Sequence, residues 1–328
     1  MYSPTLRDVL DARNRIRPYL ARTPLREYSA LSEVVGCEVY VKHENHQPTC
    51  AFKIRGGINL VSQLSPEERR RGVVTASTGD HGQSIALACR MFGVKATVCV
   101  PKNPNPDKVR AIRSYGAEIV EEGEDFEEAK NNAERLAKGR GARYVHSGNE
   151  PHLIAGVGTI GLEMVEDQPG LDVVIVPVGG GSGASGVSTV YKTISPATRV
   201  IGVQAEEAQS VYQSWRSGKM ESTGKSKTFA DGLATRSAFK LPLEIMRHNL
   251  DGFALVSEEE MRAAIRLYVE KAHTIAEGAG AAPLAAAIKM REELAGKKVG
   301  LVLSGGNLTA VMLKEILVGP TSAACGSR

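Results

Sequence analysis

The sequence lacks any apolar run close to the roughly 20 residues that a membrane-spanning helix requires. Its first residues have neither the basic start and apolar stretch nor the small-residue cleavage site of a secretory signal peptide. Aromatic residues make up only 5% of the chain, and no basic face with interleaved aromatics is visible. These absences argue against membrane insertion, export and nucleic-acid binding. We therefore expect a cytoplasmic protein whose partners include neither a membrane nor a nucleic acid.

Cysteine is also scarce. The five cysteines form no Cys-x-x-Cys pair and no Cys/His cluster with zinc-site spacing, which predicts reduced, mostly buried thiols. They are Cys37, Cys50, Cys89, Cys99 and Cys325. Charge of one sign is not in large excess either, because 41 basic and 37 acidic residues are interspersed and leave a formal net charge of +4. Such a balance is typical of an ordinary solvated surface.

The 328 residues suffice for one large or two modest domains, each with a buried core. Short runs rich in β-branched residues alternate with longer amphipathic stretches, which is the pattern of a parallel α/β sheet. Strands are predicted at 73–77, 96–101, 117–120, 173–178, 199–204 and 299–304. Helices are predicted at 82–91, 107–115, 125–138, 183–193, 257–273 and 281–294. Ser257 and Glu260 stand at capping-box spacing, and an exposed loop is predicted at 217–227.

One lysine stands between an aromatic and an apolar residue, in the segment Ala51-Phe52-Lys53-Ile54-Arg55 that two glycines follow. Burial beside such neighbours disfavours the ammonium form, lowers the pKa of the amine and makes it a nucleophile for an aldehyde. This is the chemistry that a pyridoxal phosphate enzyme needs. A lysine at the start of a helix can equally be an ordinary solvated charge, so other segments must decide between the two interpretations.

A glycine-rich segment, Gly179-Gly180-Gly181-Ser182-Gly183-Ala184-Ser185-Gly186, follows a predicted strand and precedes a predicted helix. Its backbone can turn tightly and direct several N–H groups at one anion, so the segment predicts a phosphate site. One alternative is a dinucleotide-binding Gly-x-Gly-x-x-Gly motif at 181–186, and another is a glycine-rich turn without a ligand. The dinucleotide motif would need an acidic residue at the end of the next strand, where Gln204 stands, although Glu206 and Glu207 follow.

Two further polar turns end predicted strands. Ser77-Thr78-Gly79-Asp80-His81-Gly82-Gln83 offers N–H groups and hydroxyls to a carboxylate, such as the acid group of a substrate. Alternatively, Ser77 and Asp80 only cap the following helix. Ser304, in Leu303-Ser304-Gly305-Gly306-Asn307, could hydrogen-bond a ring nitrogen without adding charge, or it could close a turn.

These four segments, in this order, resemble those of the fold-type II pyridoxal phosphate enzymes, and within them the threonine/serine dehydratase and serine racemase group. The match runs from about residue 10 to residue 318. The resemblance implies an α/β fold like that of the tryptophan synthase β chain, with two domains that each hold a mostly parallel sheet flanked by helices. A large cofactor-binding domain would comprise 1–47 and 146–318, a small domain at 48–145 would close over the substrate, and 319–328 would form a tail.

The resemblance also implies a role for each matching residue. Lys53 would bind the aldehyde of pyridoxal 5'-phosphate and, once the substrate displaces it, remove the α-proton. Ser304 would face the pyridine nitrogen, and a neutral partner there makes the ring a weaker electron sink, which favours elimination. The residues expected to hold the cofactor are Phe52, Lys53, Asp80, Gly179, Gly180, Gly181, Ser182, Gly183 and Ser304. Those expected around the substrate carboxylate are Ser77, Thr78, Gly79, His81 and Gly82, and the candidate catalytic residues are Lys53, Ser77, Thr78 and Asp80.

Three features depart from the family pattern. Asp80 replaces an asparagine that hydrogen-bonds the phenolic oxygen of the cofactor, so its carboxyl group is either protonated or directed elsewhere. Thr78 replaces the serine that is the second base of the racemases, which makes racemisation less favoured. Gln204 and Ser210 replace two carboxylates that, with a carbonyl near Ala208, hold a divalent cation in many relatives, and we predict no metal site there.

The predicted reaction is elimination of water from a β-hydroxy amino acid such as L-threonine or L-serine, which gives a 2-oxo acid and ammonia. Alternatives on the same fold are a hydroxyaspartate or diamino acid ammonia-lyase, a racemase and a β-replacement synthase. A non-catalytic protein that binds the cofactor or an amino acid is the alternative from another class, and a nicotinamide enzyme is a more distant one. We expect a homodimer without the C-terminal regulatory module of biosynthetic threonine deaminases.

Overall fold

The structure, a computed structural model, describes residues 2–77, 79–104, 106–224 and 226–319. Its strands are β1 Leu25–Glu27, β2 Glu38–His43, β3 Val73–Ala76, β4 Ala96–Val100, β5 Glu118–Glu121, β6 Arg143–Tyr144, β7 Val173–Pro177, β8 Arg199–Ala205, β9 Gly252–Val256 and β10 Lys298–Leu303. The first helices are α1 Leu6–Ile16, α2 Ser29–Val35, α3 Lys53–Val61, α4 Pro66–Arg71, α5 Asp80–Met91, α6 Pro106–Ser114, α7 Phe126–Arg140 and α8 Pro151–Asp167. They are followed by α9 Ser182–Ile194, α10 Ser210–Ser217, α11 Lys240–Asn249, α12 Glu258–Ala272, α13 Gly278–Lys289, α14 Arg291–Leu294 and α15 Ala310–Val318.

The strands form two mostly parallel sheets flanked by helices, which confirms the predicted fold class. The six-stranded sheet has the order β1-β2-β10-β7-β8-β9, and only its edge pair β1/β2 is antiparallel. The four-stranded sheet has the order β5-β4-β3-β6 and is parallel throughout. Central strands such as β4 and β10 are nearly all buried, as expected of parallel strands that helices cover on both faces. Within the described ranges, no helix combines the length and apolar character needed to cross a bilayer.

Each predicted strand is present, as is each predicted helix except that at 281–294, with ends that agree to within two residues. The capping box of α12 is confirmed, because Ser257 Oγ accepts from the backbone N–H of Glu260 at 3.2 Å and Glu260 Oε2 accepts from that of Ser257 at 2.7 Å. The prediction of one helix at 281–294 is wrong. α13 already begins at Gly278 and ends at Lys289, and the backbone of Met290, at φ −97° and ψ 13°, separates it from α14.

The thiols and exposed segments agree in part with the predictions. Cys37, Cys89 and Cys99 are free and buried as expected, whereas Cys50 is exposed. Cys50 has a φ of 52°, a left-handed conformation that turns its side chain out just before α3. After α10, residues 218–224 and 226–227 are exposed or half-buried, which fits the predicted loop. Cys325 and the predicted tail beyond Gly319 lie outside the described residues.

Glycines allow helices α3 and α9 to approach α8 closely. A Cβ atom on Gly156 of α8 would lie 2.7 Å from the carbonyl oxygen of Arg55 in α3. On another face of α8, a Cβ atom on Gly186 of α9 would lie 2.6 Å from the backbone nitrogen of Gly158. Both helices therefore pack against α8 at backbone contact. The lysine that begins α3 and the glycine-rich segment that begins α9 are held to the same helix.

A buried ion cluster, which we define as Lys42, Glu44, Arg55 and Glu163, fixes the other side of α3. The Arg55 guanidinium donates to Glu44 Oε2 and to Glu163 Oε1, both at 2.7 Å. Lys42 Nζ lies 2.6 Å from Glu163 Oε2. Burial alone would lower the pKa of Arg55, but the two carboxylates raise it above its usual value. These contacts tie α3 to β2 and α8 only two residues beyond Lys53.

Candidate active site

A cavity of about 490 Å³ is lined by the turns that follow β3, β7 and β10, so both sheets contribute to it. Ligands of open α/β sheets bind at this end of the strands. The structure brings twelve of the predicted site residues to its wall: Phe52, Lys53, Ser77, Gly79, Asp80, His81, Gly179, Gly180, Gly181, Ser182, Gly183 and Ser304. Gly82 is not on the wall, because it packs under the turn, where a Cβ would lie 2.9 Å from Ile112 Cδ1. Thr78 lies outside the described residues.

Lys53 is the first residue of α3, and its side chain lines the cavity. The Nζ atom donates to Ser182 Oγ at 2.9 Å and lies 5.0 Å from the centre of the Phe52 ring. The carbonyl oxygen of Lys53 accepts from Ser84 Oγ at 2.7 Å, which fixes the start of the helix. Burial lowers the pKa of Lys53 to about 8, although the charge of Asp80 opposes the shift. A larger share of the amine is therefore uncharged and nucleophilic near neutral pH than in an exposed lysine.

The glycine-rich segment between β7 and α9 has almost no room for side chains. Gly181 has a φ of 88°, which disfavours any other residue. A Cβ on Gly179 would collide with the carbonyl oxygen of Gly232, and one on Gly180 would lie 2.5 Å from the Phe239 ring. The backbone therefore lines the cavity directly, and the first N–H groups of α9 have no partner within the helix. This is the arrangement that an anionic group such as a phosphate requires.

The alternative of a dinucleotide motif at 181–186 finds no support in this geometry. Gly186 packs against α8 and does not line the cavity. Gln204 is fully buried, and its Oε1 accepts from the backbone N–H of Tyr212 at 3.1 Å. Glu206, which follows β8, forms an ion pair with Lys289 at 3.0 Å. Neither Glu206 nor Glu207 lines the cavity.

The turn after β3 forms one end of the cavity. Ser77 Oγ accepts from the backbone N–H of Gly79, the N-cap residue of α5, at 3.1 Å. Asp80 accepts from Asn307 Nδ2, so capping of the helix is not its only contact, whereas the capping alternative stays open for Ser77. His81 Nε2 lies 2.9 Å from Thr75 Oγ1, whose proton goes to the carbonyl oxygen of Val145, so Nε2 carries the imidazole proton. Burial, with Lys53 nearby, lowers the pKa of His81 to about 3 and keeps the ring neutral.

Asp80 has partners that the sequence alone did not indicate. Asn307 Nδ2 donates to Asp80 Oδ1 at 2.7 Å, and Glu277 is a second acid of the cavity wall near Asp80. Burial raises the pKa of both acids, that of Glu277 well above its usual value. In the sequence, Asn307 ends the Ser-Gly-Gly-Asn segment, and Glu277 directly precedes a glycine-rich stretch. Neither pattern indicates that these residues lie near Asp80.

Two ion pairs join the segments that border the cavity. Lys108 of α6 pairs with Asp231, and Arg236 pairs with Asp125 at 2.9 Å. Lys108, Asp231 and Arg236 are all wall residues, and sequence reasoning missed them because each pair spans more than a hundred residues. The pairs connect the part of the chain near α6 and α7 with the segment before α11.

The two residues that replace the cation ligands of relatives are engaged within the protein. Ser210 Oγ donates to the carbonyl oxygen of Thr235 at 2.5 Å, and Gln204 accepts from Tyr212. In the described part of the chain, no group of three or more His, Cys, Asp or Glu side chains could hold a metal ion. Independence of a metal stays a prediction.

Comparison with known proteins agrees with this geometry. The family described as "Pyridoxal-phosphate dependent enzyme" matches residues 16–305. The chain is 44% identical over 313 residues to an L-threonine ammonia-lyase of Thermotoga maritima, covering 95% of this chain and 78% of the relative. It is 37% identical to the L-threo-3-hydroxyaspartate ammonia-lyase of Saccharomyces cerevisiae, covering 94% of each chain.

A solved structure extends the comparison to three dimensions. The processed form of threonine deaminase isoform 2 from Solanum lycopersicum superposes with a TM-score of 0.91 at 32% identity, covering 96% of this chain and 92% of that one. The predicted resemblance is confirmed by these matches in sequence and in fold. Since the family match covers residues 16–305 and the relatives align over nearly the whole chain, this protein belongs to the pyridoxal-phosphate dependent enzymes.

Proposed function

We propose that this protein is an ammonia-lyase that eliminates water from a β-hydroxy amino acid, with L-threonine as the first candidate, and releases a 2-oxo acid and ammonia. The observation that carries the proposal is the half-buried amine of Lys53, which donates to Ser182 of the glycine-rich segment inside one cavity. The name of the Thermotoga maritima relative supports L-threonine, and that of the yeast relative keeps L-threo-3-hydroxyaspartate as the second candidate.

The residues of the cavity fit pyridoxal phosphate. The backbone at 179–183, which no side chain fills, would hold the phosphate, the Phe52 ring would pack against the pyridine, and Ser304 would face its nitrogen. When bound, this cofactor supplies an electron sink for the charge that develops at the substrate Cα. We also propose that Lys53 takes the α-proton at its Nζ atom, since burial has already lowered its pKa to about 8.

The rest of the wall would bind and orient the substrate. Ser77, Gly79 and the first N–H groups of α5 would receive the substrate carboxylate at a helix N-terminus. His81 is neutral and fixed by Thr75, so it shapes this end without adding a charge. Ser182, which accepts from the Lys53 amine, would orient its lone pair.

The experiment is an assay of 2-oxo acid release by the holoenzyme with L-threonine, L-serine, L-threo-3-hydroxyaspartate and 2,3-diaminopropionate offered separately. We expect the highest kcat/KM for L-threonine or L-serine. A preference for L-threo-3-hydroxyaspartate would change the proposed substrate but leave the proposed ammonia-lyase reaction in place. Bound cofactor with no product from any of the four would contradict the proposal and favour a racemase, a synthase or a binding protein.

The glycine-rich segment gives a second prediction. A Gly179→Ala substitution forces a Cβ against the carbonyl oxygen of Gly232, and overpacking of this kind costs ~1–3 kcal/mol. We expect pyridoxal phosphate to bind at least ~10-fold more weakly, because the shifted backbone no longer directs its N–H groups at one anion, as titration of the cofactor-free protein would show. Gly139→Ala in α7 is the matched control, because a Cβ there meets nothing within 4 Å. Equal affinities of the two variants would contradict the placement of the phosphate.

We propose the domain boundaries as predicted, with 48–145 as the small domain. All four strands β3 to β6 lie within it and the other strands lie outside it, which supports the division. We also propose a homodimer, since helix α15 leaves two large apolar side chains exposed, Val311 at 69% and Val318 at 76%. Light scattering on the purified protein would test this assembly. The cytoplasmic location rests on the sequence alone.

A further inference from the structure

The turn between β6 and α8 is folded around the side chain of His146. We call residues 146–149 the histidine turn. The Nδ1 atom of His146 accepts from the backbone N–H of Gly148 at 3.0 Å and from that of Asn149 at 3.1 Å. A ring nitrogen that accepts these hydrogen bonds cannot itself carry a proton, so the imidazole is neutral and its proton is on Nε2.

The surroundings of the His146 ring keep it neutral and fixed. Burial and the charge of Lys130 lower the pKa of His146 to about 4, against the opposing charge of Glu127. The ring stands edge-on to the Phe239 ring, with centroids 4.6 Å apart, and edge-on to the Tyr144 ring, with centroids 6.4 Å apart. Nδ1 therefore stays an acceptor at neutral pH.

The start of α11 is held by the histidine turn. A Cβ atom on Gly148 would collide with the ring of Phe239, the residue that precedes α11. Asn149 Oδ1 accepts from the backbone N–H of Leu241 at 3.2 Å. Because the first N–H groups of a helix have no partner within it, this hydrogen bond caps α11 from another segment of the chain.

The same start of α11 packs against the glycine-rich segment. A Cβ atom on Gly180 would lie 2.5 Å from the Phe239 ring, and one on Gly181 would lie 3.0 Å from the Cβ atom of Pro242. Ser185, later in the segment, donates its Oγ proton to the carbonyl oxygen of Pro242 at 3.2 Å. The Phe239 ring thus contacts the histidine turn and the glycine-rich backbone together.

We infer that His146 is a positioning residue for the cofactor phosphate, an inference that rests on the proposed placement of that phosphate at 179–183. The Nδ1 atom of His146 folds the histidine turn, and the turn holds Phe239 and the start of α11. These in turn hold the glycine-rich backbone in place. His146 does not line the cavity, whereas Ser147 and Phe239 do, so it acts through its neighbours.

A His146→Ala variant should bind pyridoxal phosphate more weakly, because the two N–H groups of the turn lose their acceptor. Pyridoxal is the matched ligand, since it lacks only the phosphate. We expect the dissociation constant of pyridoxal phosphate to rise by about tenfold or more, and that of pyridoxal to stay within about threefold of the wild type. Both constants come from titration of the cofactor-free protein, followed by visible absorption.

His248→Ala is the control variant. His248 is an exposed histidine in the last turn of α11 and does not line the cavity. Its substitution should change the affinity for neither ligand.

A His146→Asn variant separates the hydrogen bonds of the turn from the packing of the ring. An asparagine side chain accepts from backbone N–H groups that follow closely along the chain, as Nδ1 of His146 does here. We expect this variant to bind pyridoxal phosphate within about threefold of the wild type. If His146→Ala does not fold, Asn149→Ala carries the test, because it removes the hydrogen bond to Leu241 and should give the same split between the two ligands.

Three results would overturn the inference. The first is an equal loss of affinity for pyridoxal phosphate and pyridoxal, which would mark a general loss of structure. The second is wild-type affinity for pyridoxal phosphate in His146→Ala or Asn149→Ala. The third is a His146→Asn variant that binds pyridoxal phosphate as weakly as His146→Ala.

The proposed function fails in a different way. A wild type that binds pyridoxal phosphate but releases no 2-oxo acid would overturn the proposed ammonia-lyase reaction, while the affinities would still decide the role of His146.

Discussion

A Lys53→Ala variant is expected to lose 2-oxo acid formation by at least ~10³-fold, because the substitution removes the nucleophile for the cofactor aldehyde and the base for the α-proton together. The amine of Lys53 is placed by Ser182, and its pKa is lowered to about 8 by burial. Lys108 is the other lysine among the described wall residues, and it is held by Asp231. It is therefore not free to replace the missing amine.

The measurement is a comparison of kcat and of visible cofactor absorption in wild type, Lys53→Ala and Lys219→Ala. Lys219 is an exposed lysine remote from the cavity wall, so its substitution should leave both quantities unchanged. The Lys53→Ala protein should lose the absorption of lysine-bound cofactor as well as turnover. A variant that retained turnover within tenfold of the wild type would remove the basis of the proposed chemistry.

Glu163→Ala should destabilise the protein by ~3–5 kcal/mol, because it leaves buried charges without a partner. Glu163 accepts from both Arg55 and Lys42, and its side chain is only 8% exposed. With Glu163 removed, Glu44 alone would face two buried cations. The loss should appear as a lower urea midpoint in equilibrium unfolding of the protein.

Glu166→Ala is the matched control, since Glu166 lies three residues along the same helix α8 and also contacts two cations, Arg13 and Arg22. Its side chain is 36% exposed, and exposed pairs contribute only ~0–1 kcal/mol. We expect at least a threefold difference between the two losses of unfolding free energy. Equal losses would mean that the buried ion cluster does not stabilise the start of α3 more than a surface pair would.

The sequence indicated those parts of the site that are local along the chain. Lys53 and the segment 179–183 could be recognised because a strand, a turn and a helix start follow one another within a few residues. The hydrogen bond between Asn307 and Asp80 could not, because the two residues lie 227 positions apart along the chain and only the fold brings them together. Gly82 was predicted to bind the substrate because its neighbours were. In the structure it packs closely against Ile112, where a side chain would not fit.

One helix that the sequence analysis left unassigned, α8, is buried at 14 of its 17 positions, so it lacks the polar face that gives an amphipathic period. The glycines at its contact with α3, such as Gly156 and Gly56, lower helix propensity and are explained only by the contact between the two helices. Such a contact between distant segments leaves no periodic pattern in the sequence.

The central claim, that Lys53 is the cofactor lysine of a lyase cavity, is tested most directly by borohydride reduction of the holoenzyme followed by mass spectrometry of its peptides. Reduction makes the bond between the cofactor and its lysine permanent, so the labelled residue can be identified. We predict a pyridoxyl label on Lys53 and its loss when L-threonine is added before the borohydride. A label on another lysine such as Lys108, or no label at all, would contradict the account.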